Sequence, residues 1–192
     1  MICRLRTAMA LVAALVAGFW VSGLVAFAST RGVLSVTLPR RRPDPPERHN
    51  LASWDLGPTI RASSYHDDLG TQHHPAFLVD GRAFPDPIEK WASSERDRHP
   101  WVEISWREPH DVDRVLVRHA GDREFTEYTA RNYRIRCLLE RGVGPSVDVK
   151  DNRESVASHA IECQRARGVR LDIEPNGPTE IVRVYEVEAW GL

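Results

Sequence analysis

The chain has 192 residues, with 26 basic and 27 acidic side chains and a formal net charge of −1. That length allows one ordinary domain plus a tail. Residues 51–192 carry 19 basic against 25 acidic side chains, which excludes the basic face expected of a nucleic-acid binder.

The first segment reads MICRLRTAMALVAALVAGFWVSGLVAFAST. Arg4 and Arg6 precede an uncharged apolar run from Ala8 to Ala28. Two readings stand. A secretory signal peptide needs a positive start, an apolar stretch and small residues at the cleavage site, which Ala26-Phe27-Ala28 supplies. A signal-anchor transmembrane helix needs about 20 apolar residues, and the length of the run favours this reading. Either one makes residues 1–30 a targeting segment and exports the remainder. The domain is then secreted, or anchored facing the periplasmic or extracellular side. Residues 31–50 read as a proline-rich linker, LPRRRPDPPERHN being its centre. Arg40-Arg41-Arg42 in it suit a solvated stalk better than contact with anionic headgroups.

Residues 51–192 have the size of one domain. The loop SSYHDDLGTQHH, residues 63–74, gathers His66, Asp67, Asp68, His73 and His74, but the spacing fits no closed transition-metal pattern. FLVDGRAFPDPIEKWASS follows, with an Asp80-Gly81 turn, a proline-containing loop and Trp91, which reads as a core residue. Short period-2 runs come next: 101–106, 112–120, 132–140, 157–164, 168–175 and 180–192. They are rich in β-branched and aromatic residues and broken by Gly, Pro, Asp and Asn. Strands recurring at this spacing predict an all-β sandwich or barrel. In NYRIRCLLE, Tyr133, Ile135 and Cys137 share one face and Arg134 and Arg136 the other, so one side enters a core and the other meets water. In the last run Val182, Val184 and Glu186 share a face, which would align a carboxylate with buried valines; such a group needs a cation or donors.

Cys137 and Cys163 are the two cysteines of the domain. An exported chain meets an oxidising compartment, so a bridge between them is expected, with two buried free thiols as the alternative. Arg118-His119 ends one strand and opens the loop HAGDREFTEYTARN, which carries Phe125 and Tyr128. Strand ends entering long loops often bear binding groups. No Gly-x-Ser-x-Gly turn, phosphate-cradling glycine loop or Cys/His zinc spacing is present, and no pair of carboxylates stands out, so the chain does not read as an enzyme.

The order of these features resembles the discoidin family, the coagulation factor V/VIII C-type domain of the galactose-binding-like superfamily. The resemblance runs from about Ala62 to Gly191. It rests on ASSYHDDLGTQHHPAFLVDG, KWASS, HPWVEISW, VDRVLVR with NYRIRCLL, ARGVRLDI and YEVEAWG. It implies an eight-stranded antiparallel jelly-roll β-sandwich that binds glycans, phospholipid headgroups or proteins through loops at one end. It also implies a structural calcium ion held by Asp80, Glu186 and backbone carbonyls, oxygen ligands of the kind calcium takes. The stretch DGRAFPDPIEKW departs from the family by its length, its two prolines and the lack of a Thr before the Trp. In related sugar-binding domains a His or Arg meets hydroxyls and an aromatic ring meets the sugar face. The candidates here are His66, Arg96, Arg118, His119, Phe125 and Tyr128. The expected function is a non-catalytic exported module that recognises an envelope or extracellular glycan. An envelope protein-interaction or adhesion module is the alternative, as is phospholipid binding, for which Phe84 and Phe125 are the only apolar spikes.

Overall fold

The computed structural model describes residues 28–30, 33–35, 47–66, 73–82, 89–177 and 180–192. They fall into two compact units, Met1–Pro45 and Pro46–Leu192. In the first unit, β1 (Ala28–Thr30) pairs antiparallel with β2 (Val33–Ser35). The rest of the expected apolar helix and residues 31–32 and 36–46 of the proline-rich linker, Arg40–Arg42 included, lie outside the described residues, while its last residues, 47–50, are described and end in a strand of the second unit. At the border of expected helix and linker the chain is extended and paired, where a helix end and an open spacer were expected. Among the described residues no helix is long and apolar enough to cross a membrane.

The second unit is an eight-stranded antiparallel jelly roll. Its strands are β3 (His49–Asn50), β4 (Thr59–Ala62), β5 (Trp91–Ala92), β6 (Trp101–His119), β7 (Asn132–Leu138), β8 (Val143–Val149), β9 (Val156–Glu174) and β10 (Arg183–Gly191). The sequence runs 101–106 and 112–120 are one 19-residue strand, and so are 157–164 and 168–175. Each long strand bends in its middle and serves both layers. In one layer β4 and the second half of β9 flank the first half of β6, followed by β7 and β8. In the other, β10 and the first half of β9 flank the second half of β6, and β3 and β5 pair with β10.

The bend in β9 is visible in three observations. Cys137 pairs with Val169 across the β7–β9 ladder. Cys137 is also bridged to Cys163, with Cα atoms 5.9 Å apart. A straight strand would carry Cys163 about 20 Å from Val169, so the strand must turn between them. Arg165 sits in that turn at φ 51°, a left-handed conformation that costs a side-chain-bearing residue about 1–2 kcal/mol. Its N–H is held by Asp111 Oδ1 at 2.7 Å. The expected disulfide is thus formed, and it clasps the two layers.

The core is a single cluster from both layers, including Ile104, Ile135, Val169 and Leu171 from one and Val115, Val117, Val187 and Ala189 from the other. Each such side chain stabilises the fold by about 1.5–3 kcal/mol on burial. Trp91 is fully buried as expected, its indole N–H donating to Ser64 O at 2.9 Å.

The expected alignment of Glu186 with Val182 and Val184 is overturned. A bulge at Tyr185 puts Val184 opposite His119 but Glu186 opposite Arg118 and Val187 opposite Val117. Opposed residues share a face. Val184, Val187 and Ala189 therefore face the core, while Glu186 lies on the opposite face of the strand with Arg118, buried there beneath the Asp80-Gly81 turn.

Candidate functional site

The strand directions place the described parts of loops 63–90 and 175–182, and loops 93–100, 120–131 and 150–155, at one end of the sandwich. They follow or precede the ends Ala62, Trp101, His119, Asn132, Val149, Val156, Glu174 and Arg183, all of which the pairing puts on the same side. Asp67 and Asp68, the remainder of 67–72, and the loop 83–88 with Phe84 lie outside the described residues. Among those described, no group of three His, Cys, Asp or Glu side chains is placed to hold a metal ion.

Loops 120–131 and 150–155 are riveted together. Thr129 Oγ1 and Ser155 Oγ share a hydrogen bond of 2.8 Å, and His119 N–H donates to Ser155 O at 2.8 Å. Asn152 donates its backbone N–H to Arg131 O and its side-chain amide to Ala130 O and Glu154 O. Asn176 reaches in from the third loop, donating to Glu127 O and Thr129 O and accepting from Arg131 N–H. At the root of this assembly a Cβ on Gly121 would lie 2.1 Å from Thr129 Oγ1, so only glycine fits. Between the two loops is a cleft of about 330 Å³, lined by Thr126, Glu127, Thr129, Arg131, Asp151, Asn152 and Arg153. Phe125 directly precedes this lining and is 63% exposed.

A second polar group supports the same loop from behind. Lys90, 6% exposed, places its ammonium 2.9 Å from Glu124 Oε1, and the Tyr185 hydroxyl donates to that oxygen at 2.9 Å. Burial, then the bond to Glu124, raises the Tyr185 phenol above its ordinary range. Phe125 meets Tyr128 edge-on at 5.5 Å, and the Arg183 guanidinium lies 4.2 Å over the Tyr128 ring. His66 lies 5.7 Å from His73, ring to ring. Burial, then the positive field of Lys90 and His66, holds the His73 imidazole below its ordinary pKa.

The expected binding residues are only partly brought together. Phe125 and Tyr128 form one aromatic pair, and His66 joins the Lys90 neighbourhood through His73. Arg96 is exposed on the loop before β6, apart from these. Arg118 lies on the outer face, paired with Asp122 at 2.9 Å. His119 is 0% exposed, and among the described residues neither ring nitrogen has a hydrogen-bond partner. It is a core residue, which corrects its placement on a rim. Successive strand residues point to opposite faces, so Arg118 and His119 cannot serve one surface. Lys90, Glu124, Tyr185, Arg131, Asn152 and Arg153 were missed. Of these, only Lys90 had a sequence signal, as one of two lysines in the chain.

Glu186 is 2% exposed beneath the Asp80-Gly81 turn. Its Oε1 accepts from Gly81 N–H at 3.3 Å, and its Oε2 is buried with no hydrogen-bond partner among the described residues. Burial, and then the charge of Asp80, push its carboxyl up to about 8. An orphaned carboxylate oxygen beside a second carboxylate is chemistry that suits a hard divalent cation. The residues present fit calcium in kind. Two carboxylates fall short of the roughly six to eight oxygens calcium takes, so carbonyls and water would have to complete the shell.

Fold and loop end together define an eight-stranded jelly-roll β-sandwich that presents a polar cleft and an exposed aromatic ring at one end. No known family model matches the chain, and no curated protein matches it in sequence. Solved structures of the same fold do. The lectin-binding domain of lectinolysin (a His 62 mutant complexed with Lewis b) is 17% identical, with a TM-score of 0.62 over 77% of this chain and 99% of that one. A fucose-binding module of Streptococcus pneumoniae is 17% identical, with a TM-score of 0.59 over 73% and 96%. A chitosan-binding module from a chitosanase/glucanase of Paenibacillus sp. IK-5 is 21% identical, with a TM-score of 0.57 over 74% and 99%. These identities establish the fold. An allantoicase of Saccharomyces cerevisiae also contains it, 44% of that chain being covered, so the fold by itself does not decide between binding and catalysis.

Proposed function

We propose that this chain is a non-catalytic, exported carbohydrate-binding module that recognises an envelope or extracellular glycan through the loop end of the sandwich. One observation carries the reading. Phe125, an exposed aromatic, directly precedes in the chain the lining of a polar cleft whose walls are fixed by Asn152 and Asn176, on a fold shared with lectin domains and sugar-binding modules. Sugars need such a pair: an apolar ring for the C–H face and directional donors and acceptors for the hydroxyls. The Lys90–Glu124–Tyr185 group and the Arg183–Tyr128 stack hold the loop in place, which lowers the ordering cost of binding.

A calcium ion at Asp80 and Glu186 belongs to this proposal as a structural support, not as a ligand contact. Glycan-array binding by the full-length chain, followed by titration of the best hit, tests the function. At least one glycan should bind, and Phe125→Ala should weaken it by about tenfold or more, the value of a lost stacking contact. An array without a hit, or binding indifferent to every loop-end substitution, would overturn the reading.

A further inference from the structure

The 330 Å³ cleft contains four charged side chains, Glu127, Arg131, Asp151 and Arg153. Elsewhere on this surface opposite charges within reach pair with one another: Arg118 with Asp122, Arg134 with Asp148, and Arg136 and Arg170 with Asp172. The four charged groups of the cleft do not. Among the described residues no ion pair or side-chain hydrogen bond engages either guanidinium or either carboxylate. The backbones of Glu127, Arg131 and Asp151, by contrast, are pinned, Glu127 at its carbonyl by the Asn176 amide. Arg131 is held at its N–H by Asn176 Oδ1 and at its carbonyl by Asn152 N–H. Asp151 is fixed in the left-handed region at φ 52°, its N–H donating to Asn132 Oδ1.

We infer that this cleft is the sugar subsite and that its ligand is an uncharged sugar bearing vicinal hydroxyls. The inference rests on the carbohydrate-binding reading above and names the ligand class. A guanidinium offers parallel N–H donors and a carboxylate two acceptor oxygens, each matched to a pair of neighbouring hydroxyls. Two of each sign give a formal charge of zero in the cleft. An acidic sugar would meet Glu127 and Asp151 as well as the arginines, and a cationic amino sugar would meet the arginines as well as the acids. A neutral polyol uses all four groups and opposes none. The Thr126 hydroxyl, with no partner among the described residues, adds a further donor and acceptor on the same wall. Phe125, next in the chain, supplies the apolar face.

The test is titration of the full-length chain with neutral, sialylated, uronate-containing and chitosan-derived oligosaccharides at low and high salt. The best ligand should be neutral, with affinity changing less than about twofold between ~50 and ~500 mM salt, since no net charge is exchanged for screening. The double variant Arg131→Leu/Arg153→Leu should lose at least about tenfold in affinity with an unchanged melting temperature. Arg141→Leu, at the opposite end, should bind as the parent does. A best ligand that is acidic or cationic, or binding that weakens severalfold with salt, would overturn the inference. So would glycan binding that the Arg131/Arg153 variant leaves intact, although the carbohydrate reading would then survive. Failure of every glycan to bind would overturn both.

Discussion

Glu186 shows how a single side chain can be placed wrongly by alternation alone, and His119 how a strand-end residue expected at a rim can belong to the core. Both lie at the Tyr185 bulge, where the pairing slips by one residue and the facing pattern reverses. The sequence carries no mark of that slip, because every residue from Val182 to Val187 is compatible with a strand. Each of the two buried groups has a titration consequence. His119 is pulled down to about 4, first by burial and then by nearby His159. Its folded pKa lies below its unfolded one. Its contribution to stability is therefore complete above about pH 6.5 and is lost as pH falls towards 4, by roughly 3 kcal/mol at most. The variant His119→Leu should flatten the acid limb of the stability profile in that window. Urea melts at pH 7 and pH 4.5 check it, and parallel profiles for parent and variant would reject it. Glu186 has the opposite sign: its pKa is raised, so its ionisation costs stability as pH rises from about 4.5 to 8. After chelator treatment at pH 8, added calcium should raise the melting temperature, and Glu186→Gln should abolish that response. No response in the parent protein would remove calcium from the account.

Among the elements, the ones legible in sequence are those with one face in the core. β7 reads correctly residue by residue because Tyr133, Ile135 and Cys137 are buried and Arg134 is exposed. β8 escaped notice. It is an edge strand with an exposed Val143, and it carries Gly144 and Pro145, residues that an edge tolerates and a central strand does not. The merging of two expected runs into β6, and two into β9, was also invisible, since a bend that moves a strand between layers breaks the pattern much as a loop would. The Cys137–Cys163 clasp closes over that bend. It stabilises by roughly 3 kcal/mol for a separation of 26 residues, mostly through the unfolded chain. Paired Cys→Ser substitution should reduce unfolding free energy by about that amount in denaturant titrations. Gly121→Ala belongs to the same scale: it should force Thr129 away from Ser155 and cost about 1–3 kcal/mol, weakening glycan binding as the loop loosens. Equal stability of variant and parent would show that the rivet matters less than its geometry implies.

At the scale of the whole molecule, the strand signals gave a sandwich or barrel, and the family resemblance supplied the jelly roll with its loop end. The composition of the cleft followed from neither. Arg131 and Arg153 are 22 positions apart, and only the return of β8 beside β7 brings their loops together. The chain enters the domain through β3 and leaves it through the end of β10, and these two segments are paired, His49 opposite Gly191. Both chain exits therefore lie opposite the loop end. A mechanical load applied through residues flanking the domain would act on adjacent threads at one edge. It would peel two residue pairs of β3 from β10 like a zipper before it strained the sandwich, because separate rungs open one after another. Stretched between its exits, the domain should yield first in a small, low-force step that leaves glycan capture intact. The force-bearing seam and the loops proposed for recognition are at opposite ends, so load on the one leaves the other undisturbed.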